Sequence, residues 1–119
     1  MGITLVLGAS TRRERFSYLA MKSLHEHNYQ FVAIGAKEGE AFDVKIMVGK
    51  PELNDVETVT LYLNPERQRE YYQYILALKP KRIIFNPGTE NGELFKLSRE
   101  AGINIVIGCT LVMLHDKTF

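Results

Sequence analysis

Hydrophobic and polar positions alternate in blocks along this chain, and the blocks predict strands and helices in regular succession. Short apolar runs of the kind that form buried strands cover residues 3–7, 31–34, 44–48, 56–63, 82–86 and 103–107. Apolar residues recur at helical spacing over residues 15–27, from Asn64 and Pro65 to a stop at Pro80, and over residues 93–100. The pattern over residues 108–119 predicts no definite element.

This order of elements predicts the fold class. Nearly continuous apolar strands separated by single amphipathic helices indicate a parallel sheet that is covered on both faces. Because crossovers between parallel strands are right-handed, we expect a Rossmann-like, doubly wound α/β fold with about five to six mainly parallel strands. A length of 119 residues suits one domain over residues 1–119.

Small, polar or turn-forming residues directly follow the predicted strands. In doubly wound folds, ligands bind at the carboxyl ends of the strands where the strand order reverses. The segments to consider are Gly8-Ala9-Ser10, Gly35-Ala36-Lys37, Leu63-Asn64-Pro65 and Asn86-Pro87-Gly88. The first precedes a predicted helix, whose unpaired N–H groups and dipole favour an anion. Residues 8–13 are therefore predicted to hold a phosphate or pyrophosphate.

The first turn also limits the class of nucleotide. An NAD site needs Gly-x-Gly-x-x-Gly and an acidic residue at the end of the second strand. Only Gly8 of those glycines is present, and Lys37 stands where the carboxylate would be. A lysine there favours a phosphate on the ribose, which both NADP and coenzyme A (CoA) carry. No Gly-Lys-Ser/Thr triplet is present, which excludes a Walker-type phosphate loop.

Several short motifs resemble a known family. In chain order they are Val6-Leu7-Gly8-Ala9-Ser10, Ser17-Tyr18, Leu24, Asn28-Tyr29, Lys37, Asn86-Pro87-Gly88-Thr89-Glu90-Asn91, Ala101-Gly102-Ile103 and Gly108-Cys109. Together they resemble the small single-domain CoA-binding proteins, whose fold is similar to the CoA-binding domain of the succinyl-CoA synthetase α subunit. The resemblance spans nearly the whole chain, although no single motif is highly specific.

The resemblance implies a ligand and a set of residues. The ligand is CoA or an acyl-CoA, and the implied cofactor-binding residues are Gly8, Ala9, Ser10, Thr11, Arg12, Arg13, Ser17, Lys37, Asn64, Asn86 and Gly88. The first turn, the residues up to Arg13 and Ser17 would hold the pyrophosphate, and Lys37 would meet the 3′-phosphate. The segments at Asn64 and Asn86 would line the crevice towards the pantetheine arm. No catalytic residue and no metal site are implied, so we expect binding without catalysis.

Each candidate residue also has a purely structural interpretation. Asn64 is first of all a helix N-cap, and Asn86-Pro87-Gly88 is as well explained by a turn. Lys37 precedes Glu38 and Glu40, which is equally typical of an exposed loop. Arg15 is better explained as part of a solvated helix end. Two other functions stay open: an NADP-dependent enzyme and an interaction module without a ligand.

The composition limits the classes of partner and the compartment that we expect for this chain. The net charge of +1 gives no reason to expect nucleic acid, and no run of about 18 apolar residues indicates a membrane span. The single cysteine, Cys109, fits a reducing cytoplasm and is expected to be a small buried hydrophobe. The spacing of Tyr18 and Lys22 matches a reductase pair, but both lie in the first predicted helix. A homodimer is suggested only by the tyrosine content.

Overall fold

The computed structural model describes residues 2–119 and contains one seven-stranded sheet. Its strands are β1 (Ile3–Ala9), β2 (Phe31–Gly35), β3 (Gly39–Ala41), β4 (Val44–Met47), β5 (Val56–Leu61), β6 (Arg82–Phe85) and β7 (Asn104–Ile107). Its helices are α1 (Phe16–Glu26), α2 (Pro65–Gln68), α3 (Tyr72–Leu78), α4 (Gly92–Glu100) and α5 (Thr110–His115).

The strand order is β3-β4-β2-β1-β5-β6-β7, and every pair is parallel except β3 with β4. The chain builds outward from β1 on one side, then returns to β5 on the other side of β1. One face of the sheet packs on α1 and α5 through Met21, Leu24 and Leu114. The other face packs on α3 and α4 through Ile75 and Leu94. The predicted doubly wound α/β fold is thereby confirmed.

The seventh strand is β3, which the hydrophobic pattern did not predict. Its sequence, Gly-Glu-Ala, has no β-branched or aromatic residue, yet Glu40 pairs with Lys45 of β4 in an antiparallel hairpin. Phe42 and Asp43 close the hairpin with positive φ angles of 54° and 62°. This conformation is uncommon for a bulky residue. The Phe42 ring packs 5.1 Å from the Tyr18 ring, so a tertiary contact supports the turn.

The helical stretch after β5 starts as predicted but is not one helix. Asn64 is the N-cap, and its side-chain oxygen accepts a hydrogen bond of 2.9 Å from the Arg67 amide. A 3-10 turn over Arg69–Tyr71 separates α2 from α3. Lys79 ends α3 in the left-handed conformation, with Pro80 following.

The last residues form the short helix α5, in a region for which the sequence pattern predicts no definite element. Thr110 and Leu114 are its buried residues, and Leu114 joins the core beneath α1. The spacing of these two residues, four positions or about one helical turn apart, is the signal that could have revealed this helix. Over residues 2–119, no helix is both long enough and apolar enough to cross a bilayer.

Candidate functional site

An open cleft of about 710 Å³ lies where the carboxyl ends of β1, β2 and β5 meet. The strand order reverses between β1 and β5, which is the position where doubly wound folds hold their ligands. The predicted site residues that line the cleft are Gly8, Ala9, Ser10, Thr11, Arg12, Ser17, Lys37, Asn64 and Gly88. Arg13 and Asn86 are the predicted residues that do not line it.

Gly8 lets the ends of β1 and β5 approach closely. It forms a bulge within β1 with a φ of 101°, and the amide of Tyr62 donates a 2.8 Å hydrogen bond to the Leu7 carbonyl. A Cβ atom at Gly8 would lie 2.9 Å from the carbonyl carbon of Tyr62. Such a contact would force the strand ends apart. A side chain at this position is therefore excluded by both conformation and space.

Gly35 is likewise restricted by space, on the other side of β1. A Cβ atom there would run into the carbonyl oxygen of Ala9. Gly8 brings backbone rather than a side chain to the wall of the cleft, and both glycines do so in a smaller adjoining cavity. Close approach of a diphosphate to backbone depends on such positions.

The residues after β1 do not leave all of their amides free. The Ser10 hydroxyl accepts a 3.0 Å hydrogen bond from the Arg12 amide, and the Arg15 amide donates to the Arg12 carbonyl. The Glu14 amide donates to the Glu14 carboxylate. This hydrogen bond and the nearby charge of Arg12 hold the pKa of that carboxyl below its usual value. Ser10 keeps its hydroxyl hydrogen for a ligand. Anion binding by every amide of residues 8–13 is therefore too broad an expectation.

The start of α1 supplies the other donors. The helix begins at Phe16, and its N-cap Arg15 has extended backbone without a side-chain cap bond. Within the described chain, the first turn of α1 contains no acidic residue. Ser17 in that turn is buried, yet it lines the cleft. An uncapped helix start that faces a cleft favours an anion through its unpaired amides and its dipole.

Cationic side chains converge on the cleft. Its lining includes Arg12, Arg15, Lys37 and Arg67, and no Asp or Glu among residues 2–119 joins them. Arg12 pairs with Glu14 at 3.1 Å, but both side chains are 65% exposed, so the pair is weak. The chain as a whole is nearly neutral, with a net charge of +1, whereas the lining of the cleft has an excess of positive charge.

Sequence reasoning assigned Arg15 to a solvated helix end and did not identify Arg67. Arg15 is exposed as expected, but it also lines the cleft. Arg67 follows the Asn64 cap by three positions, which turns it towards the cleft across from α1. A cation in the first turn of a helix is electrostatically unfavourable, and this was the signal available in the sequence.

Asn86 follows β6 but does not line the cleft. Its side chain is 2% exposed. The amide nitrogen donates to the Thr60 hydroxyl at 2.7 Å and to the Leu61 carbonyl at 2.8 Å. Its oxygen accepts from the Thr110 amide at 2.9 Å. Asn86 ties β5, β6 and α5 together below the cleft and has little capacity left for a ligand. These bonds favour the structural interpretation of Asn86, and its role in ligand binding stays a prediction.

Tyr62 separates the cleft from this buried network. It lines the cleft, and burial raises its pKa to about 12 despite the nearby hydroxyls of Thr110 and Thr60. Tyr62 therefore stays protonated at neutral pH. The lining contains no His, Cys, Asp or Glu from the described residues, so no side chain of the cleft is an evident general base.

A smaller cavity of about 110 Å³ adjoins the cleft. The two share Gly8, Ala36, Leu63 and Arg67. Further walls come from the apolar core residues Leu7 and Ile34, from Tyr71 and from Glu70. One open site thus combines a cationic cleft with a recess that extends from the end of β2 to the segment after β5 and includes one carboxylate, Glu70.

Comparison with known proteins identifies the family. The sequence profile of a family described as a CoA binding domain matches residues 3–115. The chain belongs to this CoA-binding domain family. No curated protein matches the chain.

Solved structures support the same fold for this CoA-binding domain. A crystal structure of an uncharacterized protein has 51% identity and a TM-score of 0.96, covering 100% of this chain and 98% of that chain. A hypothetical protein from Pyrococcus horikoshii OT3 has 28% identity and a TM-score of 0.85, covering 97% and 82%. A Thermus thermophilus protein shares the fold at 23% identity and a TM-score of 0.84, covering 99% and 90%.

Proposed function

We propose that this chain binds CoA or an acyl-CoA in the cleft and catalyses no reaction by itself. The observation that carries the proposal is the charge of the cleft: four cationic side chains and no carboxylate in the described lining. CoA carries a diphosphate and a separate 3′-phosphate, so it presents more negative charge than NAD. Membership of the CoA-binding domain family supports the same ligand.

The diphosphate is placed at the start of α1. The Ser10 hydroxyl, the first amides of α1 and the Arg12 and Arg15 side chains surround that part of the cleft. Hydrogen bonds from charged groups to phosphate are the stronger class of polar contact. These groups act as fixed donors around an anion that the helix dipole also attracts.

The ends of the ligand lie on opposite sides of the diphosphate. Lys37 after β2 is placed at the 3′-phosphate, and the adjoining recess beside Ala36 accommodates the base. The pantetheine arm runs the other way, between the Leu63-Asn64 segment and the Pro87-Gly88-Thr89 segment. We call these two segments the arm walls.

The absence of catalysis rests on the chemistry of the lining. Tyr62 is its one titratable acid among residues 2–119, and with a pKa of about 12 it gives up no proton near neutral pH. Tyr18 and Lys22, the pair that an NADP-dependent reductase would use, do not line the cleft. Tyr18 packs instead against Phe42 of the β3–β4 hairpin. A cytoplasmic setting accords with the free thiol of Cys109.

The decisive experiment is a calorimetric titration of the protein with CoA and with NADPH, repeated for a Ser10→Asp variant. A carboxylate at Ser10 would meet the diphosphate, and like charges in contact weaken binding by at least about a hundredfold. The control is Ser23→Asp, the same change near the far end of α1, which should leave the affinity unchanged.

Two results would contradict the proposal. Unchanged affinity of Ser10→Asp for CoA would show that the diphosphate lies elsewhere. Tighter binding of NADPH than of CoA, followed by reduction of carbonyl compounds, would favour the alternative of an NADP-dependent enzyme. CoA retained on the purified protein, detected by mass spectrometry, would exclude a module without a ligand.

A further inference from the structure

Gln68 is a fully buried polar side chain that contacts both arm walls. Its exposed fraction is 0%. Its amide nitrogen donates to the Leu63 carbonyl at 2.8 Å and to the Thr89 carbonyl at 2.8 Å. Its oxygen accepts from the Asn91 side chain at 2.9 Å. One amide group therefore joins the segment after β5 to the segment after β6.

The two carbonyls that Gln68 holds belong to residues that line the cleft. Leu63 and Thr89 stand on opposite sides of the opening between the arm walls. Thr89 is also anchored from below, since its hydroxyl and its amide both donate to the Asn86 carbonyl. The Gln68 bridge bonds these two carbonyls of the walls themselves, whereas the bond from Asn91 to the Tyr72 hydroxyl joins the same two parts of the chain farther along. Gln68 is thus placed to fix the separation of the walls at the cleft.

Removing the bridge has a local consequence. Without the amide nitrogen of Gln68, two carbonyls would lose their donor in a partly buried place, and such groups seek water. Pro87 and Gly88 are exposed, so the β6 wall has room to move outward and let water in. Local opening at an exposed loop is easier than global unfolding.

We propose that Gln68 is a positioning residue that sets the separation of the arm walls and thereby the affinity for the pantetheine arm. This inference rests on the proposed function, because it takes the opening between the walls as the path of the arm. Gln68 touches no ligand in this scheme and acts through the Leu63 and Thr89 carbonyls. The cationic end of the cleft does not depend on it.

The test compares two ligands with one variant. Gln68→Met keeps the length of the side chain and removes its donors. It should weaken CoA binding about tenfold, because walls that are no longer held at the binding separation must be brought there at the expense of binding free energy. Adenosine 3′,5′-bisphosphate, which lacks the pantetheine arm, should bind as it does to the unaltered chain. Gln73→Met, the same change at an exposed position of α3, is the control and should alter neither affinity.

A second variant supplies a pH readout that a merely structural role would not give. In Gln68→Glu, the ionised carboxylate faces two carbonyl oxygens, whereas the protonated acid donates to one of them. Burial raises the pKa of such an acid. The ratio of variant to unaltered affinity for CoA should therefore recover as the pH falls from 8 towards about 5. The corresponding ratio for the bisphosphate should stay constant.

The outcomes separate this inference from the proposed function. If the unaltered chain binds no CoA, the proposed function fails. If it binds CoA and Gln68→Met weakens both ligands equally, or neither, the positioning role is overturned while the proposed function stands. If thermal scans show that neither Gln68 variant folds, the role of Gln68 is purely structural and the inference is also overturned. Selective loss of CoA affinity with pH-dependent recovery supports it.

Discussion

The two sides of the cleft use polar residues after a strand in opposite ways. On the β1 side, Ser10 and Arg12 are partly or fully exposed, and they keep donors for a ligand. On the other side, Asn86 after β6 and Gln68 of α2 are buried and use their side-chain amides on protein carbonyls and hydroxyls. The same kind of sequence signal thus marks exposed donors on one side and internal support on the other.

Burial explains the difference. A buried amide without partners costs about 1–3 kcal/mol, so Asn86 and Gln68 must be satisfied within the protein. Residues at the start of α1 face water, which satisfies their donors until a ligand replaces it. A binding surface can keep unpaired donors only where water reaches them. In the proposed function, the β6 side is an internally bonded support and the open β1 side holds the anion.

Replacing Gly8 should produce the largest change, because it alters both regions. Gly8→Ala adds a side chain at positive φ and against the Tyr62 carbonyl carbon, so unfolding free energy should fall by about 3 kcal/mol. CoA binding should be lost as the strand ends separate. Urea denaturation and calorimetry measure the two effects.

Gly102→Ala is the matched control for Gly8. Gly102 also has a positive φ, of 75°, but no neighbouring atom lies within 4 Å of the point that an added Cβ would occupy. Gly102→Ala should lower the free energy of unfolding by only about 1 kcal/mol, through backbone strain, and leave CoA affinity unchanged. Equal losses for the two variants would contradict a special role for space at Gly8.

Replacing Asn86 should affect stability and leave the cationic side intact. Asn86→Ala removes three buried hydrogen bonds, and unfolding free energy should fall by about 2–3 kcal/mol. At temperatures where the variant is folded, its affinity for adenosine 3′,5′-bisphosphate should be unchanged. Asn104→Ala, at an exposed position of β7, should have almost no effect on denaturation. A folded Asn86→Ala variant that has lost the bisphosphate would restore Asn86 as a binding residue.

Replacing Lys37 should give the smallest change, confined to one phosphate. Lys37→Ala should weaken CoA binding about tenfold through loss of one charged contact. Its affinity for dephospho-CoA, which lacks the 3′-phosphate, should be unaltered. Lys45→Ala removes an exposed lysine outside the cleft lining and serves as the control. Equal loss for both ligands would place Lys37 at the diphosphate instead.

Much of the fold and part of the candidate site follow from local signals. The apolar runs predicted β1, β2 and β5 because buried parallel strands need apolar side chains on both faces. The Asn64-Pro65 pair predicted a helix start because its cap is satisfied by an amide three residues away. Thr89 was missed because nothing nearby in sequence shows that it faces the cleft, and the unfavourable place of Arg67 in a helix start does not by itself show which surface that side chain faces.

By itself, the sequence determined the doubly wound order of elements and the family, since each depends on periodicity or on local motifs. Tertiary structure alone decided that the β3 edge strand forms and that cations from the loop before α1, the loop after β2 and helix α2 converge. It also decided that Asn86 supports the fold instead of facing a ligand. The physical reason is that burial and hydrogen-bond satisfaction are set by residues distant in the chain, whereas propensity and turn geometry are set by neighbours.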